Sequence, residues 1–333
     1  MAETPHVYQS LAAATAAHGV ETMFGLMGDA NLFMVDSFVR DHGGRFVPAA
    51  YEGGGVLMAM AYAHASGKVG VATVTHGPAV TNCVTALTEG ARGHLPIVLM
   101  AGDTPVDNPR HVQSIDQREL VKTTGAGFEQ LRSPETVAKD VARAFYRAQV
   151  EQRPIVLNMP ADFMWKQAEF EPVVLDVFTK PGDVAPGDVL DQAVGMIASA
   201  RRPLILAGGG AIKARDEIIA LADRLEAPLA TTLMAKGLFN DHPYNIDIFG
   251  TLSTPAAYDL MGQSDCIICF GSSLNDFTTD RGKLMAKKRI IQVDREPSAI
   301  GGGLHPDAAL VGDAGLTAKT IHYWLDEAEI PGS

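Results

Sequence analysis

Two short runs place side chains that hold and move protons beside glycine and proline. Tyr51-Glu52-Gly53-Gly54-Gly55 follows the apolar run Arg45-Phe46-Val47-Pro48-Ala49-Ala50. His76-Gly77-Pro78, continuing as Ala79-Val80-Thr81-Asn82, follows a second apolar run from Val69 to Thr75. Each apolar run reads as a buried strand, and Val56 to Ala63 reads as a helix packed by small residues. Glu52 and His76 therefore stand where strands end, the edge at which open α/β sheets bind ligands. A carboxylate and an imidazole facing one crevice from adjacent strand ends could carry general acid–base chemistry. Taken alone, Glu52 could simply be a favourable charge at a helix start, and His76 a structural histidine. The three glycines after Glu52 and the Gly-Pro turn after His76 leave room for a ligand or backbone to approach closely.

The elements that must position these residues alternate along the chain. Val7 to His18 is an Ala-rich helix stopped by Gly19. The strand Thr22 to Gly25 runs into Leu26-Met27-Gly28-Asp29, and a helix follows from about Asn31 to Asp41. Asp29 thus shares the strand-to-helix setting of Glu52, with helix N-cap as its structural alternative. Val80 to Arg92 is expected to be one helix and Pro96 to Gly102 a strand. A polar loop spans Pro105 to Gln117. Ser133-Pro134-Glu135 opens a helix to Val150 with a Ser cap and Pro at its first position, and Pro154 to Pro160 closes the first sheet. Residues 173–186 are rich in Pro, Gly and Asp without periodicity and read as a linker. Beyond it, helices 187–200 and 213–226 and strands at 203–207, 228–233, 266–270, 289–294 and 309–311 make a second alternating unit. The expected fold is α/β: two doubly wound, mostly parallel sheets with helices on both faces.

Composition narrows the function classes. The chain has 333 residues, 39 acidic and 27 basic, for a net charge of −12. An acidic chain without a basic cluster argues against a nucleic-acid partner, and no apolar run reaches membrane-spanning length. The first residues carry no charged-then-apolar signal pattern, so a cytoplasmic protein is expected. Three cysteines suit a reducing compartment. Cys266-Ile267-Ile268-Cys269 matches C-x-x-C, but a spacing of three within an apolar strand sends the thiols to opposite faces, as buried core residues.

These motifs, in this order, resemble the N-terminal part of thiamine diphosphate enzymes of the acetolactate synthase, pyruvate decarboxylase and benzoylformate decarboxylase group. The resemblance rests on Phe24-Gly25-Leu26-Met27-Gly28-Asp29-Ala30-Asn31-Leu32, Tyr51-Glu52-Gly53, Gly67-Lys68-Val69-Gly70-Val71-Ala72, Gly77-Pro78-Ala79-Val80-Thr81-Asn82 and Pro96-Ile97-Val98-Leu99-Met100-Ala101-Gly102. It implies a pyrimidine-binding domain over 1–172 and a Rossmann-like middle domain over 187–333. It also implies thiamine diphosphate as cofactor and a 2-oxoacid as substrate, decarboxylated or joined to a second carbonyl. Glu52 would be the carboxylate on the pyrimidine ring, with Gly77, Pro78 and Asn82 beside the cofactor. Asp29 and His76 would be proton carriers; the offset of His76 resembles benzoylformate decarboxylases rather than acetolactate synthases. Val112-Gln113 stands where acetolactate synthases carry Phe-Gln, so Gln113 would reach the cofactor, and His111 could reach the site as well, since pyruvate decarboxylases place histidines hereabouts.

Two departures matter. Gly271-Ser272-Ser273-Leu274-Asn275-Asp276-Phe277 lies where FAD-binding members carry a Gly-x-Arg pattern, and the absent Arg counts against FAD. Gly208-Gly209-Gly210 is no G-x-G-x-x-G fingerprint either. The family's Gly-Asp-Gly with a downstream Asn, which holds Mg²⁺ and the diphosphate, is missing; Gly312-Asp313-Ala314-Gly315 comes nearest. The chain is therefore expected to be a fragment or subunit, completed by a homodimer or tetramer of a longer chain or by a partner chain. The rival expectation is a non-catalytic subunit binding FAD or another nucleotide through its second domain.

Overall fold

A computed structural model describes residues 4–108, 110–175, 183–185 and 187–331. The chain divides into two compact units, Met1–Phe178 and Thr179–Ser333. Of the expected linker, residues 176–182 and 186 lie outside the described residues.

In the first unit the strands are β1 (Thr22–Gly25), β2 (Arg45–Pro48), β3 (Gly70–Val74), β4 (Ile97–Asp103), β5 (Gly127–Gln130) and β6 (Ile155–Pro160). They form one sheet in the order β2-β1-β3-β4-β6-β5, with every pairing parallel. The helices are α1 (Val7–Ala17), α2 (Leu32–Arg40), α3 (Glu52–Ser66), α4 (Pro78–Thr81), α5 (Val84–Arg92), α6 (Gln117–Lys122) and α7 (Val137–Glu151). Alternate residues of the central strands enter opposite cores. Val71, Val98, Met100, Ile155 and Leu157 pack with α1, α2 and α7, whereas Ala72, Leu99, Ala101 and Val156 pack with α3 and α5. A parallel sheet covered on both faces needs these continuous apolar strands.

The connection from β1 to β2 runs one way along the sheet, and β3 returns to the other side of β1. The chain therefore reverses direction between β1 and β3. The strands preceding Glu52 and His76 were expected to be adjacent and are not: β1, which leads to Asp29, lies between them and pairs with both. Other local expectations shift as well. The helix expected over Val80–Arg92 is two, broken at Asn82-Cys83. Ser133 caps a short 3₁₀ turn, Pro134–Thr136, and the side chain answering it is Thr136 rather than a Glu. Strand β5 was not expected at all.

The second unit repeats the architecture. Its strands are β7 (Pro203–Ala207), β8 (Leu229–Thr231), β9 (Asn245–Ile248), β10 (Cys266–Phe270), β11 (Arg289–Asp294) and β12 (Ala308–Val311). They lie in the order β12-β11-β10-β7-β8-β9, again all parallel. Its helices are α8 (Gly187–Ala198), α9 (Arg215–Leu225), α10 (Pro255–Gln263), α11 (Asp276–Thr279) and α12 (Ala314–Glu327). Gly312-Asp313 serves structure here: the Asp313 carboxylate caps α12 by accepting from the Gly315 and Leu316 amides at 3.0 Å each. Asp183 and Ala185, inside the expected linker, pack on this unit; the Asp313 amide donates to the Asp183 carbonyl at 2.8 Å.

Cys266 and Cys269 enter opposite cores of this sheet, as expected of their spacing. All three cysteines are unpaired and buried. Burial pushes the thiols of Cys83 and Cys266 up to about 12, and that of Cys269 up as well. Thiolates are the reactive form, so Cys83, Cys266 and Cys269 should consume no thiol reagent at pH 8 until a denaturant opens the fold. Rapid labelling of any of these three in the folded protein would contradict this burial.

Candidate functional site

The carboxyl ends of β1, β2 and β3 meet at the reversal point of the first sheet, and each carries one acid–base residue. Asp29 follows β1, Glu52 follows β2 and His76 follows β3.

Glu52 is the first residue of α3, and Tyr51 before it has extended backbone. The helix start half-buries the carboxylate, and Oε2 accepts from Asn82 Nδ2 at 2.8 Å. Among the described residues nothing donates to Oε1. The glycines behind Glu52 bring α3 against β1. A Cβ on Gly55 would lie 2.6 Å from Gly25 Cα, and one on Gly25, whose φ is +144°, would lie 1.9 Å from the Thr73 carbonyl oxygen. Only backbone fits between this helix and strand.

Asp29 is not the helix cap. Asn31 takes the N-cap position of α2, and its buried side chain accepts from the Gly28 amide at 2.7 Å. It also donates to the Leu26 carbonyl at 3.1 Å and to Thr73 Oγ1 at 3.0 Å. That lock leaves Asp29 free to point outward, 74% exposed, with Oδ1 accepting from Thr75 Oγ1 at 2.9 Å. His76 is the opposite case: it is 1% exposed, and its Nε2 lies 3.5 Å from Asp29 Oδ1. Its Nδ1 is buried without a hydrogen-bond partner among the described residues. The His111 ring meets His76 edge-on, with centroids 5.2 Å apart, so this loop histidine reaches the cluster. His111 Nδ1 accepts from the Gln113 amide at 3.2 Å, which leaves Nε2 as the protonated nitrogen of a neutral ring.

Gly77 has φ +59° and ψ −112°, and a Cβ there would lie 2.0 Å from the Gln113 carbonyl oxygen. The loop holding Gln113 is thus seated on the His76 turn by its backbone, and the Gln113 side-chain amide makes no hydrogen bond among the described residues. Pro78 opens the short α4, where its fixed φ suits a helix start, and Asn82 follows its end to meet Glu52. The structure therefore brings Asp29, His76 and His111 into one group and Glu52 and Asn82 into another, with α4 joining them. No hydrogen bond or ion pair links Glu52 to Asp29 or His76 among the described residues. Asn31 and Thr75 were missed by sequence reasoning; the Gly-Asp-x-Asn spacing was the available signal for Asn31. Among the described residues no group of three or more His, Cys, Asp or Glu side chains could hold a metal ion, and no helix is long and apolar enough to cross a membrane.

The second sheet reverses between β7 and β10. There the turn amides are used internally. The Gly208 N–H donates to the Phe270 carbonyl at 2.8 Å, Gly210 to Gly271 at 3.2 Å, and Ala211 to Gly208 at 3.0 Å.

Comparison with known proteins matches both units. A family model described as "Thiamine pyrophosphate enzyme, N-terminal TPP binding domain" covers residues 5–120, and one described as "Thiamine pyrophosphate enzyme, central domain" covers 190–321. A sulfoacetaldehyde acetyltransferase from Rhodobacter capsulatus is 33% identical over 317 residues, 91% of this chain and 52% of the relative. The acetolactate synthase large subunit of Parasynechococcus marenigrum is 31% identical, over 94% of this chain and 53% of its own length. A probable 2-ketoarginine decarboxylase from Pseudomonas aeruginosa is 30% identical, over 94% and 57%. The chain spans about half the length of the curated relatives it matches.

Proposed function

Because this chain belongs to the thiamine pyrophosphate enzyme family, whose N-terminal TPP-binding and central domains it carries, we propose that it supplies the pyrimidine-facing half of the active site of an enzyme that cleaves or forms the carbon–carbon bond beside the carbonyl of a 2-oxoacid. The observation that carries this reading is Glu52: a half-buried carboxylate at a sheet reversal point, with one oxygen held by Asn82 and the other free. A free carboxylate oxygen is the acceptor that a protonated ring nitrogen of the pyrimidine requires, so the residues present fit the cofactor. Bound thiamine diphosphate supplies the nucleophile and electron sink for the bond-breaking step.

The chain's own residues divide the remaining work. Asn82 fixes the Glu52 carboxylate, and Gly77 and Pro78 shape the wall beside it. Asp29 Oδ1 and His76 Nε2, 3.5 Å apart, are the two groups placed to deliver a proton to, or take one from, the reacting carbon, with Thr75 orienting Asp29. Gln113 offers a free amide to the cofactor or substrate. A buried imidazole favours outcomes in which a proton replaces the lost carboxylate, hence a decarboxylase or related lyase; carboligation is the alternative within the same chemistry. Mg²⁺ and the diphosphate would be held by residues outside this chain, in a longer polypeptide or a partner, assembled as a homodimer or tetramer or as a mixed complex. The linker at 173–186 would separate the two domains, and the buried free cysteines suit a cytoplasmic setting. The rival reading, a subunit binding FAD or a nucleotide through its second unit, is disfavoured because the Gly208, Gly210 and Ala211 amides at the second reversal point are already bonded to carbonyls.

The test is release of CO2 from a panel of aliphatic and aromatic 2-oxoacids by the full-length protein, with and without thiamine diphosphate and Mg²⁺. Cofactor-dependent turnover is expected, and His76→Ala should lower it about 10²–10⁴-fold. A full-length protein that binds no thiamine diphosphate by calorimetry would overturn the reading.

A further inference from the structure

The turn that carries His76 is held from behind by a side chain from the loop's far end. Gln117, the first residue of α6, is 3% exposed. Its Oε1 accepts from the Gly77 N–H at 2.7 Å, and its Nε2 donates to the Gly102 carbonyl at 3.0 Å and to Asn158 Oδ1. Asn158, buried in β6, donates onward to Asp103 Oδ2 at 2.6 Å and Gln130 Oε1 at 3.0 Å. The orientation of each amide follows from its neighbours. A backbone N–H can only donate, so Gln117 must turn its oxygen to Gly77; a carbonyl can only accept, so its nitrogen must face Gly102. The Asp103 carboxylate sets Asn158 by the same logic. A buried amide chain satisfied in this way is rigid and has one arrangement.

The imidazole has little else to hold it. Its Nδ1 has no partner among the described residues, and its Nε2 sits beyond hydrogen-bond length from Asp29. The direction of the ring therefore comes from the peptide it hangs on and from packing. We infer that Gln117 is the positioning residue of this site: through the chain Asp103–Asn158–Gln117 it sets the His76–Gly77 peptide, and with it the aim of the His76 imidazole at Asp29. The inference rests on the proposed reading for its catalytic meaning, but not for its geometry.

The experiment compares Gln117→Met and Gln117→Glu in the full-length protein with isotope-labelled histidine rings, His76 being assigned with a His76→Gln variant. Met keeps the volume and offers Gly77 no acceptor, whereas Glu keeps the acceptor. The Met variant should shift the His76 ring-nitrogen signals and the pH at which they titrate. It should also lower kcat about tenfold or more with KM within about threefold; Glu keeps the acceptor for Gly77 but can donate to Gly102 or Asn158 only when protonated, so it should restore part of both. Should the Met variant fail to fold, Gln117→Asn, which shortens the tether and draws the turn with it, gives the same readings. Unmoved His76 signals overturn the inference, as does a loss of thermal stability alone. If His76→Gln keeps full activity while Gln117→Met still displaces the ring, positioning stands and the catalytic reading of His76 falls.

Discussion

Glu52→Gln in the full-length protein should fold normally and lose turnover by on the order of 10²–10³-fold, the scale of removing one preorganised electrostatic partner. The substitution is nearly isosteric. Its oxygen can still accept from Asn82, which now holds Glu52 Oε2 at 2.8 Å. The other position, which accepts nothing among the described residues, becomes an NH₂ group, and a donor there cannot take a hydrogen bond from a protonated ring nitrogen. Stability should change by less than about 1 kcal/mol, because the side chain is only half-buried and its one internal bond survives. Exchange of the C2 hydrogen of bound thiamine diphosphate, followed by proton NMR, reads the effect without a substrate. An exchange rate equal to that of the unaltered enzyme would remove Glu52 from its role, whatever the turnover.

Gly25→Ala should be the most damaging single-methyl change in the first unit, costing about 3 kcal/mol or more. The new methyl would sit 1.9 Å from the Thr73 carbonyl oxygen, on a residue whose φ of +144° already excludes L side chains. Relief requires β1 to part from β3 or α3 to lift off β1, since Gly55 presses on Gly25 from the other side. Either movement also displaces Glu52, which lies one turn before Gly55 at the start of α3. Any folded fraction should therefore bind thiamine diphosphate more weakly than the unaltered protein. Urea unfolding gives the stability and calorimetry gives the affinity. A midpoint unchanged by the substitution would mean that α3 and β1 do not meet backbone to backbone.

Much of the molecule is legible without coordinates because its signals are local. The runs around Val71, Leu99, Val156 and Ile268 are almost continuously apolar, interrupted only by Thr73 in β3, Asp103 at the end of β4 and Asn158 in β6, as a doubly covered parallel strand requires, and the strands at 22–25, 203–207, 266–270 and 289–294 match their expected bounds. His76 declares itself by standing after such a run, while Asp29 and Glu52 follow the short β1 and the half-exposed edge strand β2, each next to glycines. Elements stabilised mainly by their neighbours are harder to see. The edge strands β5, Gly-Phe-Glu-Gln, and β9, Asn-Ile-Asp-Ile, are short and half polar, and they exist because β6 and β8 offer them a ladder. The cap of α2 is another such case. Asp29 and Asn31 both suit the position by type, and Asn31 takes it because Thr73, 42 residues away, can receive its amide.

The amino-acid sequence by itself determined the fold class, the two-unit plan and the residue types at the site, since each depends on periodicity and on chemistry within a few neighbours. Only the tertiary structure decided that β1 lies between β2 and β3, so that Asp29 rather than Glu52 faces His76. Only it decided that Gln117, forty residues from Gly77, bears on the His76 turn. The physical reason is that strand order and the partners of buried polar groups are set by which distant surfaces must share one core, and spacing along the chain does not encode that choice.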